Sequence, residues 1–191
     1  MSGDTFHLTS TSLRGIAHPL RVKILGLLRR DGPATATRLA ERLGQSSGAT
    51  SYHLRQLAAY GFVEEDTERG AGRERWWRAA HRSTMVEAEA IRAAPEEGEA
   101  YMRAIAASYA EQVDRWIGEA LSLPDEWENS STLSDYLLRL TPQEAQELHD
   151  GIFELIRRYR RYDAPEPAPE GSEQVAIQFQ IMPFLADRGA A

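Results

Sequence analysis

Gln45-Ser-Ser-Gly-Ala-Thr-Ser-Tyr-His-Leu-Arg-Gln-Leu-Ala-Ala-Tyr-Gly-Phe-Val63 decides how the chain is read. Ser46 or Ser47 offers the N-cap hydroxyl, and Gly61 can take the left-handed conformation that closes a helix, so the stretch predicts a helix over 46–60. At 3.6 residues per turn, Leu54, Leu57 and Ala58 face inward. Gly48, Tyr52, Arg55 and Gln56 then face outward, with Ser51 at the boundary. A short helix whose exposed face is small, hydroxylated, aromatic and basic carries the groups that contact base edges and phosphates.

Working outward, a polar N-terminal tail leads into a short helical turn over 12–17. Residues 18–30 predict a helix, with Pro19 at its first position and Ile24, Leu25, Leu27 and Leu28 as its inward stripe. Asp31, Gly32 and Pro33 end it. Thr35 or Thr37 opens another helix, reaching Leu43 with Leu39, Ala40 and Leu43 inward, and Gly44 stops it. Helix, short glycine turn, helix is the helix-turn-helix arrangement, in which the first helix braces the second. From Phe62 the period falls to about two, predicting strands over 62–67 and 75–80 joined by a hairpin loop over 68–74. A hairpin directly after the recognition helix is a wing. Arg69, Arg73 and Arg75 are placed there to meet phosphates or enter a minor groove. The competing expectation is a solvated loop whose arginines pair with Glu68 and Glu74.

Composition sets the wider frame. Of 191 residues, 42% are hydrophobic and 27% charged, as in an ordinary globular protein. Cysteine is absent, which excludes disulfides, thiolate metal sites and cysteine nucleophiles. The start of the chain has no leader pattern, and no apolar run reaches the roughly 18 residues of a membrane span, so a cytoplasmic protein without membrane contact is expected. The net charge of −7 is unevenly spread: residues 1–82 hold 13 basic and 8 acidic side chains and the remainder 9 and 21, so a net +5 precedes a net −12. A polyanion-binding module joined to a module of another kind fits that asymmetry. An enzyme is not expected, because there is no phosphate-binding glycine loop, HExxH or GxSxG, and no pair of carboxylates stands out from the general acidity.

The run His18-Pro-Leu-Arg, Ile24-Leu25, then Ser46 to Leu57 with its Ser-Tyr-His-Leu-Arg-Gln-Leu core, then Gly61-Phe-Val63 and the wing resembles the winged helix-turn-helix of the ArsR-like bacterial transcription repressors. The likeness covers about residues 12–82. It implies a homodimer on a pseudo-palindromic operator in double-stranded DNA, with two copies of one helix in major grooves about 34 Å apart. On that reading Tyr52 and Arg55 meet base edges, Ser47, Ser51 and His53 meet phosphates, and Ser46, Gly48, Gln56, Arg69, Arg73 and Arg75 complete the DNA face. The chain departs from the metal-sensing members, having no cysteine, while its five histidines, His7, His18, His53, His81 and His149, show no i, i+4 pair. No metal and no cofactor is expected.

The family core is about half this length, so residues 83–191 stand as a second domain, for dimerisation or effector sensing, after a DNA-binding domain over 1–82. Thr84 to Glu87 has the pattern of a capping box before a short helix that Pro95 interrupts. A long helix follows over about 96–121, able to cross a dimer two-fold or to pack within its own subunit. A strand over 130–140, a helix opened by the capping box Thr141-Pro-Gln-Glu144 and running to about Tyr162, and a second strand over 175–181 complete it. Tyr101, Tyr109, Trp116, Trp127, Tyr136 and Phe153 either line a pocket for a small-molecule effector or form plain core. The basic run Arg157-Arg-Tyr-Arg-Arg-Tyr162 is either a second nucleic-acid patch or a complement to the helix dipole. The expected class is mainly α with small β: a winged helix-turn-helix domain, then a helical domain with a small antiparallel sheet. The expected function is a sequence-specific DNA-binding regulator, a homodimeric repressor; the alternative is a protein-interaction adaptor using the winged helix without DNA.

Overall fold

The computed structural model describes residues 5–69, 75–128, 130–162, 164 and 167–184. It divides the chain into two compact units, residues 1–122 and 123–191. The boundary expected after residue 82 falls inside the first unit, because the helices that follow pack back onto the first helices of the chain.

Local signals place most helices of the first unit. After strand β1 (Thr5–Leu8), α1 (Ser10–Ile16) starts on a reciprocal capping box between Thr9 and Ser12. Helix α2 (Pro19–Asp31) has Pro19 in its first turn, and the ring Nδ1 of His18 accepts from the Leu20 amide at 3.1 Å as an N-cap. Strand β2 (Ala34–Thr35) runs directly into α3 (Ala36–Leu43), where Thr35 is the N-cap and Gly44, at φ +61°, provides the left-handed close.

Helix α4 (Ser47–Ala59) settles the cap between the two candidate serines: Ser46 Oγ accepts from the Ala49 amide at 3.2 Å. Its far end closes on Gly61 at φ +78°. There the Phe62 amide donates to the Leu57 carbonyl at 2.9 Å and the Gly61 amide to that of Ala58 at 3.0 Å, the paired bonds of a Schellman close. Leu54, Leu57 and Phe62 are fully buried in one core with Leu13, Ile16, Ile24 and Leu39. Burial of that apolar stripe fixes α4 against α1, α2 and α3. Thr50 is also fully buried on this face, its hydroxyl donating to the Ser46 carbonyl at 3.1 Å.

The wing strands are shorter than expected, β3 (Val63–Glu65) and β4 (Trp76–Ala79). They join β2 in an antiparallel sheet of order β2-β4-β3, with Glu64 opposite Arg78 and Glu65 opposite Trp77. The structure corrects the reading of 84–87. That segment lies in strand β5 (Ser83–Val86), which pairs parallel with β1, so the supposed polar tail is part of a two-stranded sheet. Thr84 caps nothing there; its hydroxyl accepts from Arg29 at 2.7 Å.

Helix α5 (Ala88–Ala93) precedes α6 (Pro95–Glu119), and Pro95 sits in the first turn of the longer helix. Gly98 allows their close approach, since a Cβ there would lie 2.9 Å from Ile91 Cγ2. Tyr101 and Ala104 of α6 join the core, and α6 packs on α1, α2 and α5. A short 3-10 turn over Ala120–Ser122 ends the unit.

The second unit holds α7 (Asp125–Glu128) and α8 (Pro142–Ile156), the latter opened by the full Thr141–Glu144 capping box. Helix α8 stops six residues short of Tyr162. A second correction applies to the strands: described residues 131–141 and 173–184 carry no strand. The small antiparallel sheet of this mainly helical chain is that of the wing.

Candidate nucleic-acid interface

The inward stripe of α4 leaves Ser46, Ser47, Gly48, Tyr52 and Arg55 exposed, with Ser51, His53 and Gln56 half-buried at the edges. Tyr52 is 53% exposed, so its ring and hydroxyl are available on the outer face of α4. The outward set read from periodicity is therefore the outward set of the fold, apart from the partial cover on Gln56.

An open cavity of about 430 Å³ lies between α3, α4 and the wing, lined by Thr35, Ala36, Thr37, Ser51, Arg55, Arg75 and Trp77. Three elements converge there because β2 runs straight into α3 while pairing with β4 of the wing. The hydroxyls of Thr37 and Ser51 and two guanidinium groups make its rim a donor-rich surface suited to phosphate and base-edge acceptors, while Thr35 is buried as the cap of α3. Ser51, Arg55 and Arg75 were expected on such a face; Thr35, Thr37 and Trp77 were not. Their only sequence signal is their place beside a helix start and inside a strand, and no local periodicity links those two places.

The wing arginines are held rather than free. Arg75 Nε lies 3.1 Å from Glu65, Arg78 Nε 2.9 Å from Glu64, and Arg69 Nε 3.5 Å from the buried carboxylate of Asp66. Their partners come from β3 and the residue after it, not from Glu68. Arg73 and Glu74 lie outside the described residues. Trp76 takes a second role that sequence spacing did not reveal: Arg38 of α3 sits 4.8 Å from its ring centre and Arg69 5.9 Å. Cations on an aromatic ring are held by its quadrupole, so Trp76 gathers one arginine from the brace helix and one from the wing.

His53, expected as a phosphate contact, is half-buried. Its ring packs 4.5 Å from that of His18 and 5.2 Å from that of Tyr52, and its Nδ1 is buried with no hydrogen-bond partner. Burial first, and then the neighbouring His18 and Arg21 charges, hold the His53 imidazole below the ordinary histidine range. His18 is lowered in the same way, by burial and then by Arg21. The Arg21 guanidinium, whose Nε is buried without a partner, is itself shifted down by burial. This cluster joins the start of α2 to the middle of α4.

The six aromatic residues read as effector-pocket or core candidates separate between the units. Tyr101, Tyr109 and Trp116 belong to α6, and Tyr101 is buried in the core of the first unit. Trp127, Tyr136 and Phe153 lie in the second unit, where Tyr136 is 85% exposed and Phe153 meets Phe179 edge to face at 5.5 Å.

Residues 16–66 match the family described as helix-turn-helix domain. They span α2, α3 and α4 and reach the first wing strand. No curated protein matches the chain. Among solved structures, the chain is similar to an apo form of a double mutant of ZitR from Lactococcus lactis, at 15% identity and a TM-score of 0.34, over 78% of this chain and 89% of that one. The matched stretch 16–66 is a helix-turn-helix, and the β2-β4-β3 sheet beside it supplies the wing of the winged form.

Proposed function

We propose that the protein is a sequence-specific DNA-binding transcription regulator, a homodimeric repressor that reads a pseudo-palindromic operator with α4 in the major groove and the wing on the flanking backbone. The observation that carries this reading is the convergence of Ser51 and Arg55 of α4, Thr37 of α3 and Arg75 of the wing on one open rim. Tyr52 and Arg55 meet base edges; Ser46, Ser47, Ser51 and Thr37 meet phosphates and set register. The structure supports a smaller role for His53 in contact with DNA, since its ring is occupied by His18. Repression follows from occupancy: a dimer covering two successive major grooves excludes other proteins from the same duplex.

Selection from random duplex DNA at moderate salt tests the reading. Enrichment of an inverted repeat with half-sites about one helical turn apart is the expected result. Recovery of no preferred sequence overturns it. A second reading, a protein-interaction adaptor, draws on the pairing of Arg69, Arg75 and Arg78 with wing carboxylates, which leaves the wing with little net positive charge. Partner binding that is insensitive to salt, together with no affinity for DNA, would favour it, because phosphate contacts weaken steeply with ionic strength.

A further inference from the structure

The second unit carries more apolar surface than it covers. Among its described residues none is buried, and fourteen large apolar side chains between Leu133 and Phe184 are exposed. Side chains of this size together present on the order of 1,000 Å² per copy, against about 800 Å² that each partner contributes to a specific protein interface of standard size. A segment this short with no core of its own gains stability by burying that surface on another chain.

Helix α8 shows how. One of its faces, with His149 and Phe153, is covered by Phe179. Beside that face Leu148 and Leu155, seven residues and so two turns apart, remain 38% and 52% exposed. Gly151 lies between them, and a Cβ there would meet nothing within 4 Å. Charge runs along the helix in one direction: Glu144, Glu147, Asp150 and Glu154 precede Arg157 and Arg158 just past its end. Such a helix complements its own reverse. An antiparallel copy sets each acidic start against a basic end, whereas a parallel copy sets like against like. A two-fold axis between Gly151 and Ile152 also brings residue 148 opposite residue 155, the self-matching geometry of an isologous interface.

We propose that two copies of this chain pair through α8, antiparallel about a two-fold axis between Gly151 and Ile152, with Leu148 of each packed on Leu155 of the other. The proposal rests on the homodimer reading above and adds where the copies meet. The glycine at the crossing lets the axes approach within the usual 8–10 Å, close enough for two residues on the axis to be bridged.

Because the full chain has no cysteine, a single introduced thiol reports on this directly. Full-length Gly151→Cys, mildly oxidised at low protein concentration, is expected to give about tenfold more disulfide-linked dimer than Gln146→Cys on the far side of α8, from the effective concentration of a preformed contact. A mixture of Leu148→Cys and Leu155→Cys chains is expected to cross-link with each other more than either does alone, which guards against loss of the glycine disturbing the helix. Wild-type mass is read in parallel by sedimentation. A wild-type dimer whose Gly151→Cys form links no faster than the control overturns the α8 interface and leaves the homodimer standing. A monomer at every concentration overturns both.

Discussion

Leu54 and Arg55 are adjacent in sequence and opposite in surroundings, so substituting each by alanine separates the scaffold of α4 from the face proposed to read DNA. Leu54 is fully buried in the core; Leu54→Ala removes three carbon groups at roughly 0.8 kcal/mol each and leaves a void where α4 meets α1, α2 and α3. With the cavity contribution the expected loss is about 3–5 kcal/mol, a large part of the stability of a typical domain. Arg55 is exposed on the cavity rim, so Arg55→Ala is expected to change stability by no more than about 0.5 kcal/mol. Its effect falls on binding: loss of a base-edge contact costs about 1–3 kcal/mol, roughly 5- to 150-fold in affinity, and relaxes one operator position. Urea unfolding monitored by tryptophan fluorescence reads the first quantity, and anisotropy titration against the selected operator and single-base variants of it reads the second. Leu54→Ala, measured where it is still folded, keeps the base preference. If Arg55→Ala weakens all sequences equally, its contact is electrostatic only; if it also destabilises the fold by more than about 1 kcal/mol, the assignment of the two faces is wrong.

Three further outcomes are expected. Gly15→Ala places a Cβ 2.6 Å from Tyr60 Cβ, so α1 and the end of α4 are pushed apart, at a cost of about 1–3 kcal/mol read as a lower urea midpoint; an unchanged midpoint would show that Tyr60 swings away freely. Glu65→Gln releases Arg75 from a half-exposed ion pair worth about 0.2–1 kcal/mol, and is expected to tighten DNA binding by up to about fivefold; weaker binding would mean that Glu65 positions Arg75 rather than competing for it. Both His18 and His53 lie below their ordinary pKa of about 6.5 in the fold, so the unfolded chain binds more protons as pH falls. Stability is full above about pH 6.5 and declines below it. Thermal melts between pH 7.5 and 5.5 should show that slope in the wild type and a shallower one in a His18→Asn, His53→Gln double variant, where the introduced asparagine's amide oxygen can still cap α2.

Much of the first unit was legible because its helices begin and end on contacts between near neighbours in sequence. Thr9, Thr35 and Ser46 cap within three residues, and Gly44 and Gly61 close within five. Such signals survive without knowledge of the rest of the fold. Strands β1 and β5 were not legible for the converse reason: their ladder joins Thr5 to Ser83 across the whole winged domain, and each segment is only four residues long. With Thr84 and Glu87 at capping-box spacing, local chemistry argued for a helix start, and the sheet contact overrode it. The alternating segments near 130–140 and 175–181 failed differently. Alternation states which side chains share a face, but a strand exists only when something pairs with it.

The same distinction between local and distant determinants separates the two halves of the proposed DNA face. Residues 46–56 needed only helical periodicity, and the structure leaves their outward members outward. The wing needed partners: whether Arg69, Arg75 and Arg78 meet phosphate depends on Asp66, Glu65 and Glu64, which the ladder sets beside them. These carboxylates reshape the charge argument as well. The net +5 of residues 1–82 includes wing charge already spent on internal pairs, so the attraction that remains comes from arginines without such a pair, chiefly Arg55 on α4 and Arg38 on the Trp76 ring. A duplex that docks the wing must exchange three ion pairs for phosphate contacts, a nearly balanced trade for half-exposed groups. On the proposed reading, affinity rests on α4 and α3, while the wing tunes how steeply binding falls with salt.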